Sequence, residues 1–179
     1  MKKVHSFSGY TLIELLVVVA IISLFFFLAL AAYQSFNKSQ ALITAAHEVK
    51  SALRDAQNRA MSGEKDCSTL ELSGWKFTWV ASGLTYSLQS CCPGGCGPVA
   101  CVCSPATTLK TYKLPNVDGI TFYNSGQVFF KPVNGLAEIP AVGSELCLKS
   151  NSNTSYKISV STSGGISEEK FSASIDCTL

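Results

Sequence analysis

The chain has no proline before Pro93 and no glycine between Gly9 and Gly63. These are the two strongest helix breakers. Without them, residues 10 to about 61 read as one continuous helix, roughly 75–80 Å long at about 1.5 Å per residue. Cysteine is missing from the same region, since all eight cysteines lie between Cys67 and Cys177. Histidine is scarce, with only His5 and His47. No Cys-x-x-Cys pair, HExxH, phosphate-binding glycine loop or Gly-x-Ser-x-Gly elbow is present. The expectation is therefore a protein that is not an enzyme, with no catalytic residue and no cofactor. Charge is also sparse, at 15% of residues with a formal net of +2. Removal of residues 1–9, which hold Lys2 and Lys3 and no acid, leaves a formal zero. Nucleic acid is thus not favoured as a partner by charge.

What the chain has in excess is apolar surface, 47% of residues. Much of it forms one run from Leu12 to Ala32, broken only by Glu14 and Ser23. A hydrocarbon core about 30 Å thick is crossed by about 20 helical residues, so this run is expected to span a membrane. Lys2 and Lys3 precede it, which places the N-terminus in the cytoplasm and the rest outside. A secretory signal peptide is cut after its apolar region; here that region passes directly into further helix. A plain anchor accounts for the length and the lysines but not for Glu14. A carboxylate in a spanning segment costs about 2.5–3.5 kcal/mol on insertion scales and marks a functional candidate.

The second half of the helical region changes pattern. Leu42, Ala46, Val49, Leu53, Ala56 and Ala60 recur at steps of four and three, with Lys50, Arg54, Asp55 and Arg59 off that stripe. Such a face must pack on something, and Gly63 is a suitable stop. Beyond about residue 75 the pattern is β. Three hairpins are expected: 75–80 with 84–89 around Ala81-Ser82-Gly83, 120–123 with 127–131 around Asn124-Ser125-Gly126, and 156–161 with the segment from Ile166 around Ser163-Gly164-Gly165. Segments 108–114, 145–149 and 171–176 are further strand candidates, and Pro93–Pro98 reads as an irregular loop. The fold class is α+β: a long N-terminal helix packed on an antiparallel β domain. The expected divisions are a leader at 1–9, a membrane helix at 10–33, an amphipathic helix at 34–62 and a disulfide-rich β domain at 63–179.

Ser8-Gly9-Tyr10-Thr11-Leu12-Ile13-Glu14-Leu15-Leu16-Val17 resembles the processing motif of type IV pilins and type II secretion pseudopilins. The resemblance implies a pilin-like fold and cleavage between Gly9 and Tyr10 by a prepilin peptidase. Glycine suits a tight cleft because it lacks a Cβ. It implies N-methylation of the new amine on Tyr10, where phenylalanine is commoner. It also implies that Glu14 pairs with the N-terminus of a neighbouring subunit in the assembled filament. An unpaired carboxylate is expensive in an apolar core and a paired one is satisfied, so this pairing favours one axial register. Many major pilins kink this helix with a proline; its absence here leads us to expect a straighter helix. The implied partners are the peptidase, other pilin or pseudopilin subunits, the inner-membrane assembly platform and, before assembly, the lipid bilayer. The implied location is a single-pass inner-membrane protein, then a pilus or pseudopilus.

Beyond the apolar run, Leu53-Arg54-Asp55-Ala56-Gln57-Asn58-Arg59-Ala60, Trp75, Ile120–Gly126 and Ile158–Gly165 are similar to the minor pseudopilin group. The cysteines do not belong to that pattern. Cys91, Cys92, Cys96, Cys101 and Cys103 cluster, with Cys67, Cys147 and Cys177 apart. Thiolates so close together can wrap a metal or an iron–sulfur cluster. An exported domain favours disulfides instead, so no metal site is expected. Adjacent Cys91 and Cys92 are not expected to bond each other. A C-terminal cystine loop of the kind some pilins have implies Cys147 with Cys177. The structural subunit competes with a DNA-capturing minor pilin, whose contacts are sought among Lys76, Lys110, Lys113, Lys131, Lys149, Lys157 and Lys170. It also competes with a membrane-anchored metal or redox protein. His47 is read as a surface residue.

Overall fold

Helix α1 runs from Leu12 to Ser62 without interruption, as the missing proline and glycine require. Its end is written into the sequence. Gly63 takes a left-handed φ of 68°, its N–H bonds the carbonyl of Ala60 at 3.2 Å, and the Glu64 N–H bonds that of Arg59 at 3.1 Å. These two reversed bonds satisfy carbonyls that the last turn leaves open. Arg59 adds positive charge to that turn and pairs with Asp55 at 2.9 Å. The structure, a computed structural model, describes residues 10–64, 71–92, 94–96, 101–103, 106–139, 145–151 and 154–171. Of these, 28, 29, 31, 32, 94–96, 101, 102 and 106–109 are described by backbone alone. The chain divides into two units, Met1–Asn37 and Lys38–Leu179.

The second unit is an α+β mix with antiparallel sheets. Strands β1 (Gly74–Trp79) and β2 (Thr85–Cys91) form the first expected hairpin. A five-stranded sheet grows around them in the order β5-β2-β1-β7-β8, with β5 at Ala106–Lys113, β7 at Gly126–Phe130 and β8 at Ala137–Glu138. A four-stranded sheet has the order β11-β10-β9-β6, with β6 at Thr121–Phe122, β9 at Glu145–Lys149, β10 at Ser155–Val160 and β11 at Ile166–Phe171. β10 and β11 are the third expected hairpin. The segment read as an irregular loop instead holds β3 (Gly94–Cys96), paired with β4 (Cys101–Cys103) as a two-stranded ribbon. The strand expected at 171–176 begins where β11 ends, and 172–176 lie outside the described residues.

The second expected hairpin does not form. β6 pairs with β9 in one sheet and β7 with β1 in the other, so Asn124-Ser125-Gly126 is a crossing point between sheets. The side chains there explain why. Asn124 Nδ2 donates to the Glu145 carbonyl, and Asn124 Oδ1 accepts from the Cys147 N–H at 3.2 Å and from Trp79 Nε1 at 3.4 Å. One amide thus ties β9 to a β1 side chain. Gly126 lies against the Trp79 ring, where a Cβ would sit 2.3 Å from Cζ2.

The helix stripe closes the core. Leu42, Ala46, Val49, Leu53, Ala56 and Ala60 are all buried, together with Ala45. They share one cluster with Trp75, Phe77, Leu88 and Val128 of one sheet and Leu146, Leu148, Ile158 and Val160 of the other. Each large apolar side chain removed from water contributes about 1.5–3 kcal/mol. Gln57 fixes the helix further, its Nε2 donating to the carbonyls of Gly135 at 3.1 Å and Gly164 at 3.0 Å.

Removing the Asn124 amide should strand a backbone carbonyl and an N–H in a part-buried site. Asn124→Ala is therefore expected to destabilise the full chain by about 1–3 kcal/mol, measured by urea unfolding followed by tryptophan fluorescence. A loss confined to a few tenths of a kcal/mol would show the crossing point to be held by packing alone.

Candidate processing and assembly site

The first turn of α1 is built by its own sequence. Thr11 precedes the helix, and its Oγ1 accepts the Glu14 N–H at 3.3 Å, while its carbonyl accepts the Leu15 N–H at 3.2 Å. Thr11 is the N-cap and Glu14 the third helical residue, the spacing of a capping box. Among the described residues the Glu14 carboxylate makes no hydrogen bond and no ion pair, and it is exposed. A negative charge in the first turn is favoured by the helix dipole by about 0.3–1 kcal/mol. Tyr10 lies outside the helix and is 84% exposed. Tyr10 thus stands immediately before the cap residue, and Glu14 lies in the first turn after it. Gly9 lies outside the described residues.

Next to this turn the chain is apolar and uncovered. Every described side chain from Leu12 to Phe27 is exposed, including Phe25, Phe26 and Phe27. Ser23 is satisfied locally, its hydroxyl donating to the Val19 carbonyl at 2.7 Å. Among the described residues no helix is long and apolar enough to cross a membrane. The expected span therefore has no counterpart among them: the side chains of residues 28, 29, 31 and 32, within the expected run, lie outside the description.

Cys91 bonds Cys103, with Cα atoms 4.8 Å apart and a sequence separation of 12. The bridge fastens β4 to β2, and closure of such a loop stabilises by roughly 3 kcal/mol in the chain-entropy model. Cys92 and Cys147 are also disulfide-bonded, and no described cysteine is free. Among the described residues no group of histidine, cysteine and acidic side chains is arranged to hold a metal ion. Cys67 and Cys177, the latter the expected partner of Cys147, lie outside the described residues, as do the side chains of Cys96 and Cys101.

The candidate DNA-contacting lysines are divided between the sheets. Lys76, Lys110 and Lys113 sit on the five-stranded sheet and Lys149, Lys157 and Lys170 on the other. Lys131 pairs with Glu138 and Lys157 with Glu145, and Lys149 lies over the Tyr123 ring. Burial pushes the Lys76 ammonium below its ordinary range. His47 is exposed, with Nδ1 3.7 Å from Glu168 Oε2, while Lys50 holds Glu168 Oε1 at 2.9 Å. That cluster joins α1 to β11.

With the capped turn and the exposed apolar segment in place, the comparison with known families has a physical counterpart. Residues 5–30 match the prokaryotic N-terminal methylation motif. The chain therefore carries the type IV pilin and pseudopilin signal, the mark of a pilin-like prepilin substrate. That signal implies processing by prepilin peptidase and assembly with other pilin subunits. Neither a curated protein nor a solved structure matches the chain.

The spacing Thr11-x-x-Glu14 carries the signal of this cap. Thr11→Ala should cost the first turn about 0.5–2 kcal/mol. Hydrogen exchange on the full chain in detergent micelles should show faster exchange at the Glu14 amide. Unchanged protection there would show the hydroxyl to be idle.

Proposed function

We propose that the chain is a structural, non-catalytic minor pilin or pseudopilin subunit. It sits in the inner membrane through residues 10–33 with its N-terminus in the cytoplasm. It is cut after Gly9, methylated on the Tyr10 amine and drawn by the assembly platform into a type IV pilus or type II secretion-type pseudopilus. The supporting observation is a coincidence in one place: the methylation motif at residues 5–30 falls on a capped helix start followed by side chains that are apolar and exposed.

An apolar helix exposed on every side is stable only where lipid or other helices take the place of water. A bilayer supplies that cover before assembly and neighbouring subunits supply it afterwards. Glu14 is the one charged group in the apolar run, and a carboxylate in such surroundings is costly unless paired. Cleavage creates an amine on Tyr10, and methylation leaves its positive charge in place. A neighbour's amine against Glu14 satisfies both charges in one register and neither in the others.

Co-expression with a prepilin peptidase should give a mature chain that begins at a methylated Tyr10, read by mass analysis of the N-terminal peptide. A chain beginning at Met1, or cut after Ala32, would refute the reading. Glu14→Ala should insert in the membrane normally yet be recovered in filaments at roughly a tenth of the wild-type level or less, the scale of a lost buried charge pair. Equal recovery would remove the assembly role from Glu14.

A further inference from the structure

β5 is the outermost strand of the five-stranded sheet, paired with β2 on one side only. Its open side has a definite pattern. The Leu114 N–H donates to the Leu84 carbonyl at 2.7 Å, and such bonds recur at every second residue of an antiparallel pair. With Tyr86 opposite Tyr112 and Leu88 opposite Lys110, residues 110 and 112 turn their N–H and C=O groups toward β2. Leu109, Thr111 and Lys113 turn theirs outward, and among the described residues nothing pairs with them. Over its eight residues this edge is unpaired among the described residues, and an edge of that length is a template for a further strand.

The face of β5 that looks toward α1 adds chemistry to this edge. Phe77, Tyr86 and Tyr112 form a ladder of rings across three strands, with centroids 5.3 Å and 5.2 Å apart and the last two rings within 10° of parallel. The ladder ends at Tyr112, which is half-buried on the outermost strand. Beside it lies a groove of about 450 Å³ lined by Glu48, Ser51 and Asp55 of α1, by Tyr86 and Tyr112, and by Lys113 at the strand end. Asp55 is engaged by Arg59, whereas Glu48 has no ion pair among the described residues. Burial first, and then the Glu48 carboxylate, push the Tyr86 phenol up to about 12. The phenol therefore stays neutral, and Glu48 is a groove carboxylate without an ion pair among the described residues, with Lys113 at the strand end.

We propose that the β5 edge docks an extended segment of a partner protein, which adds a sixth strand to the sheet and lays an arginine on Tyr112 beside Glu48. Three features converge on that occupant. The outward N–H and C=O groups of Leu109, Thr111 and Lys113 call for a strand. The open end of the ring ladder calls for a flat group about one strand spacing further out. The Glu48 carboxylate calls for that flat group to be cationic, and a guanidinium is both. Lys110 and Lys113 are both exposed on the edge and set a positive charge against pairing of two β5 strands. This inference concerns only the Lys38–Leu179 unit and stands independently of the pilin reading.

The test uses the full chain in detergent micelles and three short synthetic peptides of alternating threonine and valine. One has a single central arginine, the second has glutamate there, and the third is the arginine peptide N-methylated on alternate backbone amides. The arginine peptide should bind and slow hydrogen exchange at Leu109, Thr111 and Lys113. The glutamate peptide, and the arginine peptide against Glu48→Lys or Tyr112→Ala, should bind roughly tenfold more weakly. Thr111→Pro should abolish binding while leaving the β2–β5 ladder intact, because the N–H it removes points outward. If that variant does not fold, the N-methylated peptide tests the same outward bonds, and it should fail to bind the wild-type chain. The proposal is overturned by any of four results: equal binding of all three peptides, no change in exchange at those amides, amides already protected in the chain alone, or concentration-dependent pairing of two chains through β5 that excludes the peptide.

Discussion

Burial of the helix stripe from Leu42 to Ala60 is the contact on which the folded unit depends. These small and medium side chains meet rings and aliphatic groups from two sheets at once. A sheet with one uncovered apolar face is unstable in water, and the helix stripe covers a face of each sheet. Alanine at 45, 46, 52, 56 and 60 keeps the helix surface low, which makes room for Trp75, Phe77 and Trp79 from the strands. Small residues on the helix and large ones on the sheet let the two surfaces interdigitate, as close packing demands.

The same helix changes its chemistry toward its N-terminus. Between Leu12 and Phe27 all described side chains are exposed and nearly all are apolar. The sole charged group in it, Glu14, stands in a capped first turn where the helix dipole favours it. On the function proposed above, cleavage creates an amine on Tyr10 just ahead of the cap, and an apolar surrounding makes its pairing with a neighbour's Glu14 selective.

Local patterns predicted the elements well where each acts on its own backbone. The Gly63 stop, the β1–β2 and β10–β11 hairpins, β9 and the helix stripe follow from turn chemistry and periodicity. The Asn124-Ser125-Gly126 turn was misread because its residues suit a hairpin equally well. Asn124 instead spends its amide on Glu145, Cys147 and Trp79, partners that no local pattern indicates. The ribbon of β3 and β4 was hidden for a similar reason, since glycine-rich sequence carries little strand signal and depends on a paired partner.

The sequence by itself determined the helix, its stop at Gly63 and the motif at its start, because each rests on neighbours within a few residues. Only the tertiary structure decided that most strands split between a five-stranded and a four-stranded sheet, that Cys91 joins Cys103, that the lysines are divided between those sheets and that the ring ladder ends on the outermost strand. Those features depend on which distant segments pair. Strand pairing is set by the fit of whole faces around one core, which the order of residues along the chain does not display.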